Sequence, residues 1–186
     1  MRIKIFVLLC LTAIMQFTNV TPLKASHYYY KQLSLKDGVT SAVRCILTDK
    51  QGFVWIGTKA GISRYDGHEL KKYVHSPNNP HSIPNNLIHQ IAEDEMSNIW
   101  ILTDKGIARY QRQSDDFFLP TDEKGNPIIA YSTCLTKDGV LFGSKDKVYF
   151  YSYRDSSLRL LQKLNKGSNF NISLLSLWDE HTVLCC

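Results

Sequence analysis

All-β is the fold class this sequence predicts, built as a run of four-stranded propeller blades, and three observations carry it. A stretch of the chain superposes on itself without a gap at an offset of 45, Trp55 falling on Trp100. Strand-length apolar runs alternate with short turns rich in Gly, Asp and Asn. No apolar stripe of helical period reaches useful length, and Pro77, Pro80 and Pro84 interrupt the one long connection.

The chain opens on an export signal. Arg2 and Lys4 precede an apolar run from Ile5 to Met15, then polar residues, Pro22 and a cleavage point near Ala25. That is the three-part layout of a secretory leader, although Leu23 is larger than the small residue usual at its place. A membrane anchor is the alternative, but the run is far shorter than the roughly 20 residues a spanning helix needs. Cys10 follows Leu9, where a lipid-attachment site wants a small residue. Residues 1–25 are therefore expected to be a signal peptide that sends the rest to the periplasm. The leader takes three of the 22 basic residues and none of the 17 acidic ones, so the net charge falls from +5 to +2. No basic stripe remains to suggest a nucleic-acid partner, and no later apolar run reaches membrane length.

The repeat organises residues 26–186. Ile46 to Tyr65 matches Ile91 to Tyr110 at Ile46/Ile91, Asp49/Asp94, Trp55/Trp100, Ile56/Ile101, Thr58/Thr103, Gly61/Gly106, Ile62/Ile107, Arg64/Arg109 and Tyr65/Tyr110. A third copy runs from Cys134 to Tyr151, with Leu141, Phe142, Gly143 and Ser144 in the places of Trp55, Ile56, Gly57 and Thr58. A fourth begins near Leu174. The units fall at about 43–86, 87–130, 131–170 and 171–186, and a period of this length belongs to propellers, solenoids or arrays.

Local chemistry selects the propeller. Val43 to Thr48 reads as a strand, ended by the turn from Asp49 to Gly52. Phe53 to Thr58 is apolar on both alternating sets of positions, which suggests cover on both faces. Gly61 marks a tight turn, Ile62 to Tyr65 a third strand, Asp66-Gly67 a hairpin, and His68 to Tyr73 a short fourth strand. Four short antiparallel strands per unit is the blade pattern. The Pro-, Asn- and Ser-rich stretch from Val74 to Asn86 then leads to the next inner strand. Long ordered loops on a rigid scaffold are where binding tends to reside.

The candidate site residues read mainly as structure. Trp55 and Trp100 offer faces for sugar stacking, but their mid-strand repeat positions assign them to the core between blades. Arg64 and Arg109, each before a Tyr, suit an anionic glycan or a tie to a neighbouring strand, and recurrence favours the tie. Asp49 and Asp94 are expected to accept backbone amides in the turns after them. His75, His81 and His89 are spaced by six and eight, which matches no zinc pattern, so no metal is expected. Asp115-Asp116 and Asp122-Glu123 are expected in polar loops with nothing to raise one pKa, as glycoside hydrolysis requires. Cys45 and Cys134 sit in strand-like runs and read as small buried hydrophobes. No catalytic residue and no cofactor are expected, and no binding residue is singled out.

From Ile46 to Gly67 the pattern of Asp49, Trp55, Gly57, Thr58, Gly61, Arg64, Tyr65, Asp66 and Gly67 resembles the two-component regulator propeller repeat. The lead-in from Leu33 to Val39 and the loop before Leu87 are similar to that family as well. The resemblance implies the periplasmic sensor region of a hybrid sensor histidine kinase anchored in the inner membrane, with a glycan-derived oligosaccharide as the ligand. A secreted protein-binding scaffold and a fragment of a carbohydrate-active enzyme are the alternatives. At about 43 residues per blade the chain holds three blades and a fragment, whereas propellers usually close with four to eight. A truncated sensor, marginally stable and lacking kinase and output domains, is therefore the expectation. Its open ends would be met by the missing blades or by a second copy in a homodimer.

Overall fold

The computed structural model describes residues 32, 42–164, 172–177 and 182–185. The expected leader, the lead-in from Leu33 to Val39 and Trp178 lie outside them. The described residues form three four-stranded antiparallel sheets and one hairpin, in sequence order.

Blade 1 holds β1 (Val43–Thr48), β2 (Val54–Thr58), β3 (Gly61–Tyr65) and β4 (Leu70–Tyr73). Blade 2 holds β5 (Ile88–Glu93), β6 (Ile99–Thr103), β7 (Gly106–Gln111) and β8 (Asp116–Phe118). Blade 3 holds β9 (Ser132–Leu135), β10 (Gly139–Gly143), β11 (Lys147–Ser152) and β12 (Leu158–Lys163). A last hairpin joins β13 (Leu175–Leu177) to β14 (Val183–Cys185). Each sheet is a meander, so neighbours in sequence are neighbours in space.

The register repeats with the sequence. Trp55 lies opposite Arg64 and Trp100 opposite Arg109. In blade 3, Leu141 lies opposite Phe150. Second strands are the most buried, as their two-sided apolar pattern requires: all of β6 and β10 is buried. Cores form between blades. Trp55, Ile62 and Tyr73 of blade 1 pack with Ile88, Ile99, Ile101, Tyr110 and Phe117 of blade 2. Trp100, Leu102 and Ile107 then pack with Val140, Phe142 and Tyr151 of blade 3.

Close approach is set by residue size. A Cβ on Gly57 would lie 2.7 Å from Cγ2 of Ile88, and one on Gly143 would lie 2.7 Å from Cγ2 of Ile172. The glycine of one unit thus admits an isoleucine of the next. Leu102 takes this place in blade 2, and its cluster includes the small Ala130.

The loop between β4 and β5 is tightly bonded. Ser82 Oγ donates to the carbonyls of Ser76 and Asn79, Gly61 N donates to Asn86 O, and Phe117 N donates to His81 O. Ile83 is fully buried beneath it. The loop therefore ties the end of blade 1 to the outer strand of blade 2.

Candidate functional site

Each of the first two blades begins its joint with an aspartate. Asp49 Oδ1 accepts from Gln51 N at 3.0 Å and Phe53 N at 2.9 Å, which closes the turn from β1 to β2. Its Oδ2 accepts from the buried indole Nε1 of Trp55 at 3.0 Å. Asp94 does the same with Asn98 N at 2.8 Å and Trp100 Nε1 at 2.8 Å. The turn aspartate thus satisfies the one polar atom of the core tryptophan, a bond the turn chemistry alone does not announce.

The tryptophan then meets the next blade. Trp55 and Tyr110 pack edge to face with centroids 4.8 Å apart at 65°, and Trp100 and Tyr151 repeat this at 4.8 Å and 65°. Arg64 donates to the hydroxyl of Tyr110, and Arg109 donates to that of Tyr151 at 2.7 Å. Each guanidinium also lies over rings, Arg64 at 4.9 Å from Phe53 and Arg109 at 5.1 Å from Phe118, where the ring face attracts the cation. Trp and Arg of one repeat therefore clasp Tyr of the next. With Leu141 and Phe150 at these places, blade 3 offers no such clasp to the hairpin; Cys134, Leu141 and Val148 pack on Ile172 and Leu175 instead.

Asp115 departs from expectation. It is no solvated loop residue: at φ +56° in the turn from β7 to β8 it ties two blades together. Its Oδ1 accepts from Tyr73 Oη at 2.6 Å and Tyr110 Oη at 2.5 Å, Arg64 lies 3.3 Å away, and Lys71 Nζ bonds Oδ2. Burial works against its charge, yet the bonds from Lys71, Tyr110 and Tyr73 outweigh burial and hold the carboxyl down at about 2. Burial, then the bond to Asp115, pushes the phenols of Tyr73 and Tyr110 up. Asp116 also differs from a loop residue, since it opens β8 and accepts from Gln111 Nε2 at 2.8 Å. Asp122 shapes a turn, accepting from the amides of Lys124 and Asn126.

Arg112, unremarkable in the sequence, makes a second link across the same joint. Its NH2 donates to Asp49 Oδ2 at 3.0 Å, its NH1 to Gln51 Oε1 at 2.9 Å and its Nε to Ser97 O at 3.2 Å. Glu93 accepts from Lys50 N at 2.8 Å and lies 3.8 Å from Arg112. Burial opposes the charge on Asp49, but bonds from Trp55 and Arg112 keep its pKa below the usual value. Tyr153 takes the position of Arg112 one unit later, where burial and the Asp94 carboxylate push its phenol up.

In a meander, the turns after first and third strands lie at one end of the sheets. There the turns of Gln51, of Ser97 and Asn98, and of Arg112, Gln113 and Ser114 enclose an open cleft of about 560 Å³. Its lining is mostly amides and hydroxyls, joined by Met96, Tyr110 and two arginines; the Arg112 charge is countered by Asp49, and Arg109 donates to the Tyr151 hydroxyl. Such a surface both donates and accepts hydrogen bonds.

The remaining candidates hold turns or separate partners. Thr58 Oγ1 donates to Gly61 O at 2.9 Å, and Thr103 Oγ1 to Gly106 O at 2.7 Å. Gly61 has φ +113°, and a Cβ there would meet Tyr73 O at 2.5 Å. Tyr65 donates to Gly67 O at 2.5 Å. His75 Nδ1 lies 2.8 Å from Ile83 O, His81 3.7 Å from Asp116 and His89 2.9 Å from Asp104. Among the described residues no three ligating side chains gather around a metal position. Cys45 and Cys134 form no disulfide, and burial pushes the Cys45 thiol up.

Residues 37–60 match the family model described as the two component regulator propeller. Over that segment the chain is similar to this propeller repeat. It is 37% identical over 59 residues to Histidine kinase P4 of Formosa agariphila, a match covering 31% of this chain and 4% of that relative. The extracellular domain of the protein described as hybrid two component system BT3049 from B. thetaiotaomicron superposes with a TM-score of 0.69 at 17% identity. That match covers 83% of this chain and 23% of that one. The corresponding domain of BT4673 gives 0.60 at 24%, covering 80% and 19%. Virginiamycin B lyase from Staphylococcus aureus gives 0.52 at 16%, covering 77% and 48%. At these identities the solved structures show the fold. The chain spans less than a quarter of the two extracellular domains and a small part of the kinase.

Proposed function

We propose that this chain is part of the periplasmic ligand-sensing propeller of a two-component sensor histidine kinase, and that its ligand is glycan-derived. The observation that carries the reading is the regulator-propeller match over residues 37–60, which falls on a blade whose Asp–Trp–Arg joint repeats in the next. Likeness to extracellular domains of hybrid two component systems and to a histidine kinase supports it. Phosphoryl transfer belongs to the parent that the resemblance implies; this segment binds and relays. A sensor acts by preferring one of two states when its ligand is present, and a cleft shared by two blades is suited to report on their spacing.

The cleft at Gln51, Ser97, Asn98 and Gln113 supports a neutral, hydroxyl-rich ligand, because most of its lining is amides and hydroxyls and both of its guanidiniums are already engaged, Arg112 by Asp49 and Arg109 by the Tyr151 hydroxyl. Calorimetric titration of the exported protein with a panel of neutral and acidic oligosaccharides tests this. A neutral oligosaccharide is expected to bind and Gln113→Trp, which fills the cleft, to abolish binding. Binding that survives Gln113→Trp, or no binding across the panel, contradicts it. Export is tested by N-terminal sequencing of the mature protein: a start near Ser26 is expected, and a start at Met1 contradicts it.

A further inference from the structure

The first two joints differ at their outer strands. In the joint between blades 1 and 2, Lys71 Nζ bonds Asp115 and lies 5.5 Å from the ring centroid of Tyr73, and that ring packs edge to face on Phe117 at 5.3 Å. An ammonium held by a ring and a carboxylate thus fills the seam. Register identifies the counterparts in the joint between blades 2 and 3. Lys71 lies opposite Arg64, and Phe118 lies opposite Arg109. Phe117 lies opposite Tyr110, and Leu158 lies opposite Tyr151. Two residues beyond Lys71 is Tyr73, and two beyond Phe118 is Pro120. Asp115 and Ser156 share one place, with φ of +56° and +54°.

In place of Lys71, Tyr73, Asp115 and Phe117, the second joint therefore has Phe118, Pro120, Ser156 and Leu158, and these four border a hollow of about 290 Å³. Proline and leucine are smaller than the tyrosine and phenylalanine they replace, and a serine hydroxyl reaches less far than a carboxylate. The ammonium has no replacement at all. Its two kinds of partner are nevertheless present. Phe118 is 37% exposed, and the Arg109 guanidinium 5.1 Å from its centroid shows that the ring attracts a cation. The charged residues on the lining are Asp122 and Glu123, both acidic. Asp122 uses Oδ1 for the amides of Asn126 and Lys124, and these bonds hold its carboxyl below the usual range. Among the described residues neither acid is in an ion pair. Lys124 and Lys147 border the neighbouring hollow rather than this one.

We propose that this hollow binds a small organic ammonium, its cation held by the Phe118 ring and the Asp122 and Glu123 carboxylates as Lys71 is held by Tyr73 and Asp115. Pro120 and Leu158 give the carbon skeleton an apolar wall, and the Thr121 and Ser156 hydroxyls can accept from its N–H groups. The volume lies near the lower end for small-molecule sites, about 300 Å³, which suits one ring or a short alkyl chain. The site is separate from the cleft at Gln51 and Gln113 and does not depend on the glycan reading.

Saturation-transfer NMR titration of the protein tests the proposal. The probe is cyclohexylamine, an ammonium at neutral pH, with cyclohexanol and cyclohexanecarboxylate as neutral and anionic controls on the same skeleton. The amine is expected to bind at least about threefold more tightly than the alcohol, from the ring and carboxylate contacts together, and the carboxylate is expected not to bind. Phe118→Lys, at an exposed position, puts an internal ammonium where the first joint has one and is expected to abolish binding, with far-UV circular dichroism unchanged. Glu123→Gln is expected to weaken binding by about threefold. Gln113→Trp, which fills the other cleft, is expected to leave the amine bound. Glucosamine and Nα-acetyl-lysine amide, titrated in the same way, distinguish an amino sugar from a lysine side chain as the source of the ammonium. No binding of any of these amines, an alcohol that binds as tightly as the amine, affinity unchanged by Phe118→Lys and Glu123→Gln, or binding lost in Gln113→Trp overturns the proposal.

Discussion

Replacing Trp100 by leucine converts the second blade's joint into the form the third blade uses, and the cost follows from what the ring touches. Trp100 is fully buried, donates to Asp94 at 2.8 Å, and packs on Tyr151 at 4.8 Å and Phe142 at 5.2 Å. A hydrogen bond to a charged acceptor is worth about 1.5–3 kcal/mol, and each aromatic pair about 0.5–1.5 kcal/mol beyond its area. Truncating a buried Trp all the way to Ala costs about 3–5 kcal/mol. Leucine restores some volume but none of the specific contacts, so Trp100→Leu should cost about 3–4 kcal/mol. Trp100→Phe keeps a ring and loses the N–H, so it should cost about 2 kcal/mol. Urea unfolding followed by circular dichroism, with m held to the wild-type slope, reads both. Trp55→Leu should match Trp100→Leu within about 1 kcal/mol, because the two joints share distances and angles. Costs below about 1 kcal/mol for both leucine variants would refute the assignment of these rings to a joint that holds the fold.

Asp115 predicts a pH dependence. Its folded pKa lies below that of the unfolded chain, so its stabilisation is fully present above about pH 4 and is lost as pH falls toward 2. The urea midpoint should therefore drop over that window, and Asp115→Asn should flatten part of the drop; an unchanged profile in the variant contradicts the role. Arg112→Met leaves the fully buried Asp49 carboxylate without its cation, and because Arg112 is itself partly exposed, the cost should be about 2–3 kcal/mol rather than the larger values of fully buried pairs. Equal stability of wild type and variant in urea would remove Arg112 from the joint. Gly57→Ala sets a methyl against Ile88 and the Cys45 sulfur at 2.5 Å, so overpacking of about 1–3 kcal/mol is expected, relieved in part by Cys45→Ala in the same chain, which removes the sulfur. A neutral or stabilising Gly57→Ala, measured by thermal melt, would contradict the tight approach.

The blades were legible because each is a local meander whose strands, turns and two-sided apolar runs lie within one repeat. Trp55, Arg64 and Tyr110 were legible as positions for the same reason, and recurrence pointed to a tie between strands. Their pairing was not, since Arg64 meets the Tyr of the next unit rather than its own neighbour Tyr65. Asp115 and Arg112 were misread or passed over because neither recurs: Ser156 shares the positive φ of Asp115, and Tyr153 takes the place of Arg112. Their partners in the preceding blade lie 42 to 63 residues away in sequence, at a distance where residue type carries no signal of contact. The cleft is likewise a product of three turns brought to one end of two sheets. Glycan sensing rests on the resemblance and on the chemistry of those walls.

The joint itself is tested most directly by a double-mutant cycle on Arg109 and Tyr151, the cleaner of the two clasps because no carboxylate shares it. Arg109→Met, Tyr151→Phe and the double variant are compared in urea unfolding. With the guanidinium donating to the phenol at 2.7 Å across the boundary between blades, the two substitutions should couple by about 0.5–2 kcal/mol, the range for residues in contact. Additivity within about 0.3 kcal/mol would show that the two side chains do not act together and would contradict a repeat whose blades are clasped by arginine and tyrosine.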